Sequence, residues 1–141
     1  MALTENRKPP DSKLPPNYTL VFDYDLAASV TIYKGAFVKL GTSGITPSTG
    51  TGRVLGYSID EKKVNGTTAG AVQAKIAVGD LIVHAVTGVA GFGDVKKKVF
   101  ASNDETLTLV STSNGFAGWV YDHVSGTDAI VQMAGPAVPS A

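Results

Sequence analysis

Between residues 78 and 133 the chain never runs far without either a short apolar run or a turn signal. Apolar runs at 81–87, 95–100, 106–111, 116–122 and 129–133 are separated by Gly79-Asp80, Gly91-Phe92-Gly93-Asp94, Asn103-Asp104, Asn114-Gly115 and Ser125-Gly126. Glycine reaches backbone angles closed to other residues, and Asn and Asp bond to their own backbone, so these pairs reverse a chain. None of the gaps can hold a helix. Five short strands at this spacing predict antiparallel β structure.

The preceding residues extend the pattern. Residues 18–24 alternate, with Tyr18, Leu20, Phe22 and Tyr24 on one face and Thr19, Val21 and Asp23 on the other, which predicts a strand. Residues 25–28 have room for one helical turn. Short strands are expected at 30–33 and 36–40 around Lys34-Gly35, which has hairpin-turn character. The stretch GTSGITPSTGTG at 41–52 reads as a polar surface loop. A phosphate-binding loop would end in Gly-Lys-Ser/Thr and open a helix, whereas this one leads into a strand at 53–59. Residues 60–70 read as an exposed connection. In 71–78, Val72, Ala74, Ile76 and Val78 share one face, which should meet the core. Gly135-Pro136 and Pro139 end the pairing and leave a short tail, 135–141. The expectation is an all-β chain with one domain, 18–134, forming a small antiparallel barrel or sandwich.

Residues 1–17 differ in kind. Four of the seven prolines lie here among charged residues. Proline fixes φ, lacks a donor and extends the residue before it, so this segment is an extended Pro-rich arm. At about 3.1 Å per residue it could reach roughly 50 Å. It is either an untethered terminus or an arm that orders against a neighbour. In the second case Leu3, Leu14 and Tyr18 are its apolar anchors, and Arg7, Lys8, Pro9, Pro10, Pro15 and Pro16 complete the candidate partner-binding set. The segment has no apolar core of the signal-peptide kind, and no apolar run nears the roughly 18 residues of a membrane helix. Synthesis in the cytoplasm and no membrane partner are therefore expected.

A faint internal echo links Gly56-Tyr57-Ser58-Ile59-Asp60 to Gly118-Trp119-Val120-Tyr121-Asp122. Each is followed by a glycine-containing turn and then a strand beginning with alanine, Ala71-Val72-Gln73 and Ala129-Ile130-Val131-Gln132. Glycine beside a ring permits close backbone packing, and two such copies would form two similar hairpin units.

Chemistry is hard to find. Twelve basic residues balance twelve acidic ones, so no global field draws in nucleic acid or an anionic membrane. With no cysteine, disulfides and thiolate metal sites are excluded. His84 and His123 have no third ligand at a recognisable spacing. The serines and threonines form no Gly-x-Ser-x-Gly elbow. Asp80, Asp94, Asp104, Glu105 and Asp128 all sit at turns, where Asp bonds locally. Lys96, Lys97 and Lys98 read as an edge strand guarded by charge, with Lys96 and Lys98 on one face and Lys97 on the other. Trp119 is either a core residue or a recognition platform. The expectation is no catalytic residue, no cofactor, no metal, no small-molecule substrate and no nucleic acid: a protein that is not an enzyme.

Taken in order, Lys34-Gly35-Ala36-Phe37-Val38, Gly52 to Gly56, Val78-Gly79-Asp80-Leu81-Ile82-Val83, Gly93-Asp94-Val95, residues 106–109, Phe116-Ala117-Gly118-Trp119 and Ala129-Ile130-Val131 resemble the head-decoration (cement) proteins of tailed bacteriophages. The resemblance covers about two thirds of the chain. It implies a β-barrel or β-tulip-like fold and a structural role on the outer surface of the virion, where the expected partner is the major capsid protein; a symmetric oligomer suits a symmetric shell, and a homotrimer is expected. The resemblance implies no catalytic residues. A different reading of the same strands is a ligand-binding module that recognises glycans through Trp119, Tyr57 and Tyr121.

Overall fold

The computed structural model describes residues 2–13 and 20–134. In chain order the strands are β1 (Asp11–Ser12), β2 (Leu20–Asp25), β3 (Thr31–Ile32), β4 (Phe37–Leu40), β5 (Ile45–Pro47), β6 (Val54–Ser58), β7 (Lys63–Val64), β8 (Gln73–Val78), β9 (Leu81–Thr87), β10 (Lys98–Ala101), β11 (Leu107–Thr108), β12 (Gly115–Ser125) and β13 (Asp128–Met133). A single 3₁₀ turn, Phe92–Asp94, is the one helical element among the described residues. The chain is all-β, as its turn spacing predicts.

The turn-rich segment 78–133 closes on itself. Strands β9, β11, β10, β12 and β13 follow one another around a five-stranded barrel, which β13 completes by pairing again with β9. Closure removes the sheet edges that a five-strand run would otherwise expose. One seam departs from the antiparallel expectation, because β11 and β9 pair in parallel through Leu107 with Val86 and Thr108 with Thr87.

The other half is a five-stranded sheet in the order β2-β8-β6-β4-β5, with a separate two-stranded ribbon of β3 and β7 that touches it at β5. Its central strands are covered on both faces, so their residues divide between two cores. Phe37, Val54, Tyr57 and Ala77 join the barrel interior, with Ile82, Val86, Val99, Leu107, Val120 and Val131. Val38, Leu55, Ile76 and Val78 point the other way and pack with Leu26, Ile32 and Ile45. Every residue of β6 is buried, the pattern of a strand covered on both sides.

Several local expectations change. The first long strand begins at Leu20 among the described residues, and the segment 14–19 lies outside them. Residues 30–33 and 36–40 do not form a hairpin around Lys34-Gly35: β3 pairs with β7, and β4 pairs with β5 and β6. The loop 41–52 contains β5, whose Ile45 is fully buried. The connection 60–70 contains β7 and the buried Asn65, whose amide donates to the carbonyls of Leu26, Ala27 and Thr68 and so stands in for a backbone ladder. The lysine run is not an edge strand. Lys96 occupies the left-handed region at φ 77°, Lys97 pairs with Asp94 at 2.7 Å, and β10 begins only at Lys98, between β11 and β12.

The internal echo is real in three dimensions. In β6 a bulge lets Val38 face Gly56 while Lys39 faces Val54. In β12 the same device lets Val99 face Gly118 while Phe100 faces Phe116. Directly upstream, Gly35 donates to Ser58 O at 2.8 Å and Lys96 donates to Val120 O at 2.7 Å, both from positive φ (83° and 77°). The units β4-β6-β8 and β10-β12-β13 are therefore two copies of one plan, one in the open sheet and one in the barrel. A Cβ on Gly56 would overlap the Ala77 carbonyl, and one on Gly118 the Gln132 carbonyl. This is why glycine precedes the ring in both copies.

Candidate interaction surfaces

The arm folds back on its own domain over residues 2–13. The Leu3 amide donates to Asp104 Oδ1 at 2.8 Å, and the Leu3 side chain packs on the second core. Arg7 lies half-buried over the Phe37 ring at 5.2 Å. Its Nε donates to Gly35 O at 2.9 Å, its Nη1 meets His84 Nε2 at 3.1 Å, and its backbone amide donates to Lys34 O at 3.0 Å. Burial lowers the guanidinium pKa, and the nearby Glu105 and Asp104 oppose that shift. Asn6 reaches Lys34 and Glu61. Lys8 remains exposed beside Asp11 at 3.2 Å, and Pro9 and Pro10 are half-buried.

The arm's far end is held by a second anchor. Asp11 and Ser12 pair with Val83 and Ile82 as an edge of the barrel. Ser12 Oγ donates to Asp80 Oδ1 at 2.7 Å, Tyr57 Oη donates to Asp80 Oδ2 at 2.5 Å, and the Leu81 amide adds a third bond at 2.8 Å. Asp80 is fully buried, so these three donors are what let a carboxylate remain there. Burial, reinforced by Asp80, raises the Tyr57 phenol pKa well above its ordinary value. Of the nine candidate partner-binding residues, Leu3 and Arg7 therefore make intramolecular contacts. Leu14, Pro15, Pro16 and Tyr18 lie outside the described residues.

Among the described residues, two surfaces stand out as open to a partner. On β2 all residues but Tyr24 are exposed, including Leu20, Val21 and Phe22. Sequence alternation marked β2 as a strand but could not tell that Leu20, Val21 and Phe22 would all be left exposed while Tyr24 packs on the second core. The second surface is an aromatic stripe on the barrel. The bulge in β12 puts Phe116 and Trp119 on the same outer face, with ring centroids 5.1 Å apart, and Phe100 continues the row at 6.0 Å from Phe116. Arg53 covers Phe116 at 5.7 Å. Trp119 and Tyr121 line an open groove of about 300 Å³ with Lys96 and Gln132. Tyr57 does not belong to this surface, because it is buried against Asp80.

Both histidines and Asp94 are engaged in structural contacts. His84 serves the arm, and His123 Nε2 lies 3.0 Å from Gly126 O. Asp94 caps the 3₁₀ turn, and its hydrogen bond to Lys97, aided by the amides of Ala90 and Gly91, lowers its pKa to about 2. A cleft of about 530 Å³ beside Asp23, Asp25 and Gln73 is wide open, and there Lys75 pairs with Asp23 while the Gln73 amide bonds Asp25. No group of three or more metal-ligating side chains occurs among the described residues. Compared with known protein families, curated proteins and solved structures, the chain matches none.

Proposed function

We propose that this protein is a structural binding module that coats the outer surface of a bacteriophage capsid and stabilises it by bridging major capsid protein subunits. The observation that carries this reading is the division of labour among its side chains. The buried polar groups Asp80, Asp104 and Asn65 and the half-buried Arg7 are used to hold the fold, whereas large apolar side chains are left exposed on β2. Contiguous exposed apolar surface marks places where proteins meet. The ordered series of glycine-punctuated strands that resembles head-decoration proteins supplies the identity of the partner. Bridging works by burying apolar area across the seams between shell subunits, multiplied when linked copies bind together.

Mixing the purified protein with expanded empty heads and pelleting them tests this. Saturable retention that scales with the number of shell subunits supports the proposal, and failure to pellet with the heads refutes it. The groove beside Trp119 and Tyr121 favours a second reading, a glycan-binding module, since flat aromatic faces suit sugar rings. That reading requires a saturable change in Trp119 fluorescence on titration with an oligosaccharide panel, whereas the capsid reading requires none.

A further inference from the structure

We propose that two copies of this chain pair through β2, antiparallel and edge to edge, about a two-fold axis at Phe22. On its inner side β2 matches β8 without interruption, from Leu20 opposite Val78 to Asp25 opposite Gln73. Leu26 donates to Val72 O at 2.9 Å, which fixes the alternation so that even-numbered residues of β2 spend their main-chain groups on β8. Ile59 donates to Lys75 O at 3.1 Å on the opposite edge of β8, which agrees with that parity. The amides and carbonyls of Val21 and Asp23 therefore face outward along an edge that pairs with no strand among the described residues, while beyond the strand's end the outward amide of Ala27 donates to Ile45 O at 3.1 Å.

An open edge asks for an extended strand, and what this chain offers to it is β2 itself. Natural edges are blunted by shortness, bulges, proline or charged side chains, lysine above all. β2 is six residues long without bulge, proline or lysine, and its two carboxylates are held by β8, Asp23 by Lys75 at 3.2 Å and Asp25 by the Gln73 amide at 2.7 Å. The other long free edge among the described residues, the distal half of β12, is broken by register shifts around Tyr121 and Val124. At the opposite end of the sheet β5 contains Pro47, and Ile45 O already accepts from Ala27.

Pairing centred on Phe22 is self-complementary. It sets Phe22 against its own copy and Leu20 against Tyr24 of the other copy, which gives one continuous apolar face. On the reverse face Val21 meets Asp23 of the other copy, and each Asp23 keeps its 3.2 Å contact with Lys75. Shifting by one register step would either set Asp23 against Asp23 or lose the Phe22 pair. The seam is two-fold, so it makes pairs, not the homotrimer expected from the symmetry of a shell. It stands independently of the capsid reading.

Light scattering behind gel filtration at high micromolar concentration tests the pairing on the full chain. The expected mass is twice the 14.5 kDa of one chain. Val21→Pro removes an outward amide without touching the β8 ladder, and Phe22→Lys places like charges at the axis. Each should weaken association by at least about tenfold, with a circular dichroism spectrum and melting profile like the parent's. Concentration-dependent hydrogen exchange on the unaltered protein gives a readout that needs no variant: the Val21 and Asp23 amides should become protected as copies pair. A monomer throughout the range, a trimer, or a dimer that survives both substitutions with those amides exchanging freely would overturn the inference.

Discussion

Arg7 Nη1 lies 3.1 Å from His84 Nε2, and His84 Nδ1 lies 2.7 Å from Ala85 O. A guanidinium can only donate and a carbonyl can only accept, so the ring must be neutral, with its proton on Nδ1. Burial lowers the His84 pKa below its ordinary 6.5, and Arg7 adds to the effect while the Ala85 bond and Asp128 oppose it. The unfolded ring takes up its proton at higher pH than the folded one. Stability from this pair is therefore complete above about 6.5 and is lost as pH falls through that value toward the folded pKa. Urea titrations at intervals between about pH 7 and 5 should show declining stability, and His84→Gln should flatten the slope. Hydrogen exchange should place the acid-induced opening in residues 2–13. An identical slope in parent and variant would contradict the assignment.

The second anchor gives a sharper prediction. Asp80→Asn removes the charge that three donors converge on, and should cost on the order of 2–3 kcal/mol in urea denaturation. Tyr57→Phe removes one of those donors and should cost about 1–2 kcal/mol. The two losses should fall short of additivity in the double variant, because both act on one bond. A cost below about 0.5 kcal/mol for Asp80→Asn would be typical of an exposed turn residue and would contradict the buried role.

The paired units also make a prediction. Gly56→Ala and Gly118→Ala each force a methyl group into a cross-strand carbonyl, and each should destabilise the fold by about 1–3 kcal/mol or more. Lys96, at φ 77°, stands where the first unit has Gly35 at 83°. Lys96→Gly should therefore stabilise by roughly 1 kcal/mol, since a non-glycine residue in this region costs about that much. A rise in melting temperature for Lys96→Gly alone among these three variants is the expected result, and a fall would refute the equivalence.

The strands of the barrel were legible because each turn carries its own chemistry in sequence. Ser125-Gly126 marks a reversal between β12 and β13, which pair with each other, whereas Gly79-Asp80 carries the chain from β8 in one sheet to β9 in the barrel. What periodicity could not supply was partnership. Lys34-Gly35 has the composition of a hairpin turn, yet its flanks pair with β7 and with β5 and β6, since strand pairing is decided by distant residues. Bulges were equally silent: the one in β12 puts Phe116 and Trp119 on one face, where strict alternation would separate them. Asp80 and Asp104 each look like local turn residues in sequence. Their acceptors are filled from the arm, by Ser12 and Leu3, which lie 68 and 101 positions away. The arm's composition gave its extended character, while its docking depends on groups that only the folded body brings together.

The proposed function has this chain work by adhering to a shell. Quantitative mass spectrometry of purified particles of the proposed bacteriophage source, counting this protein against the main shell subunit, tests that proposal most directly. The account predicts a fixed simple ratio of the same order as the shell subunit itself. Absence from washed particles, or a handful of copies per particle, would contradict it.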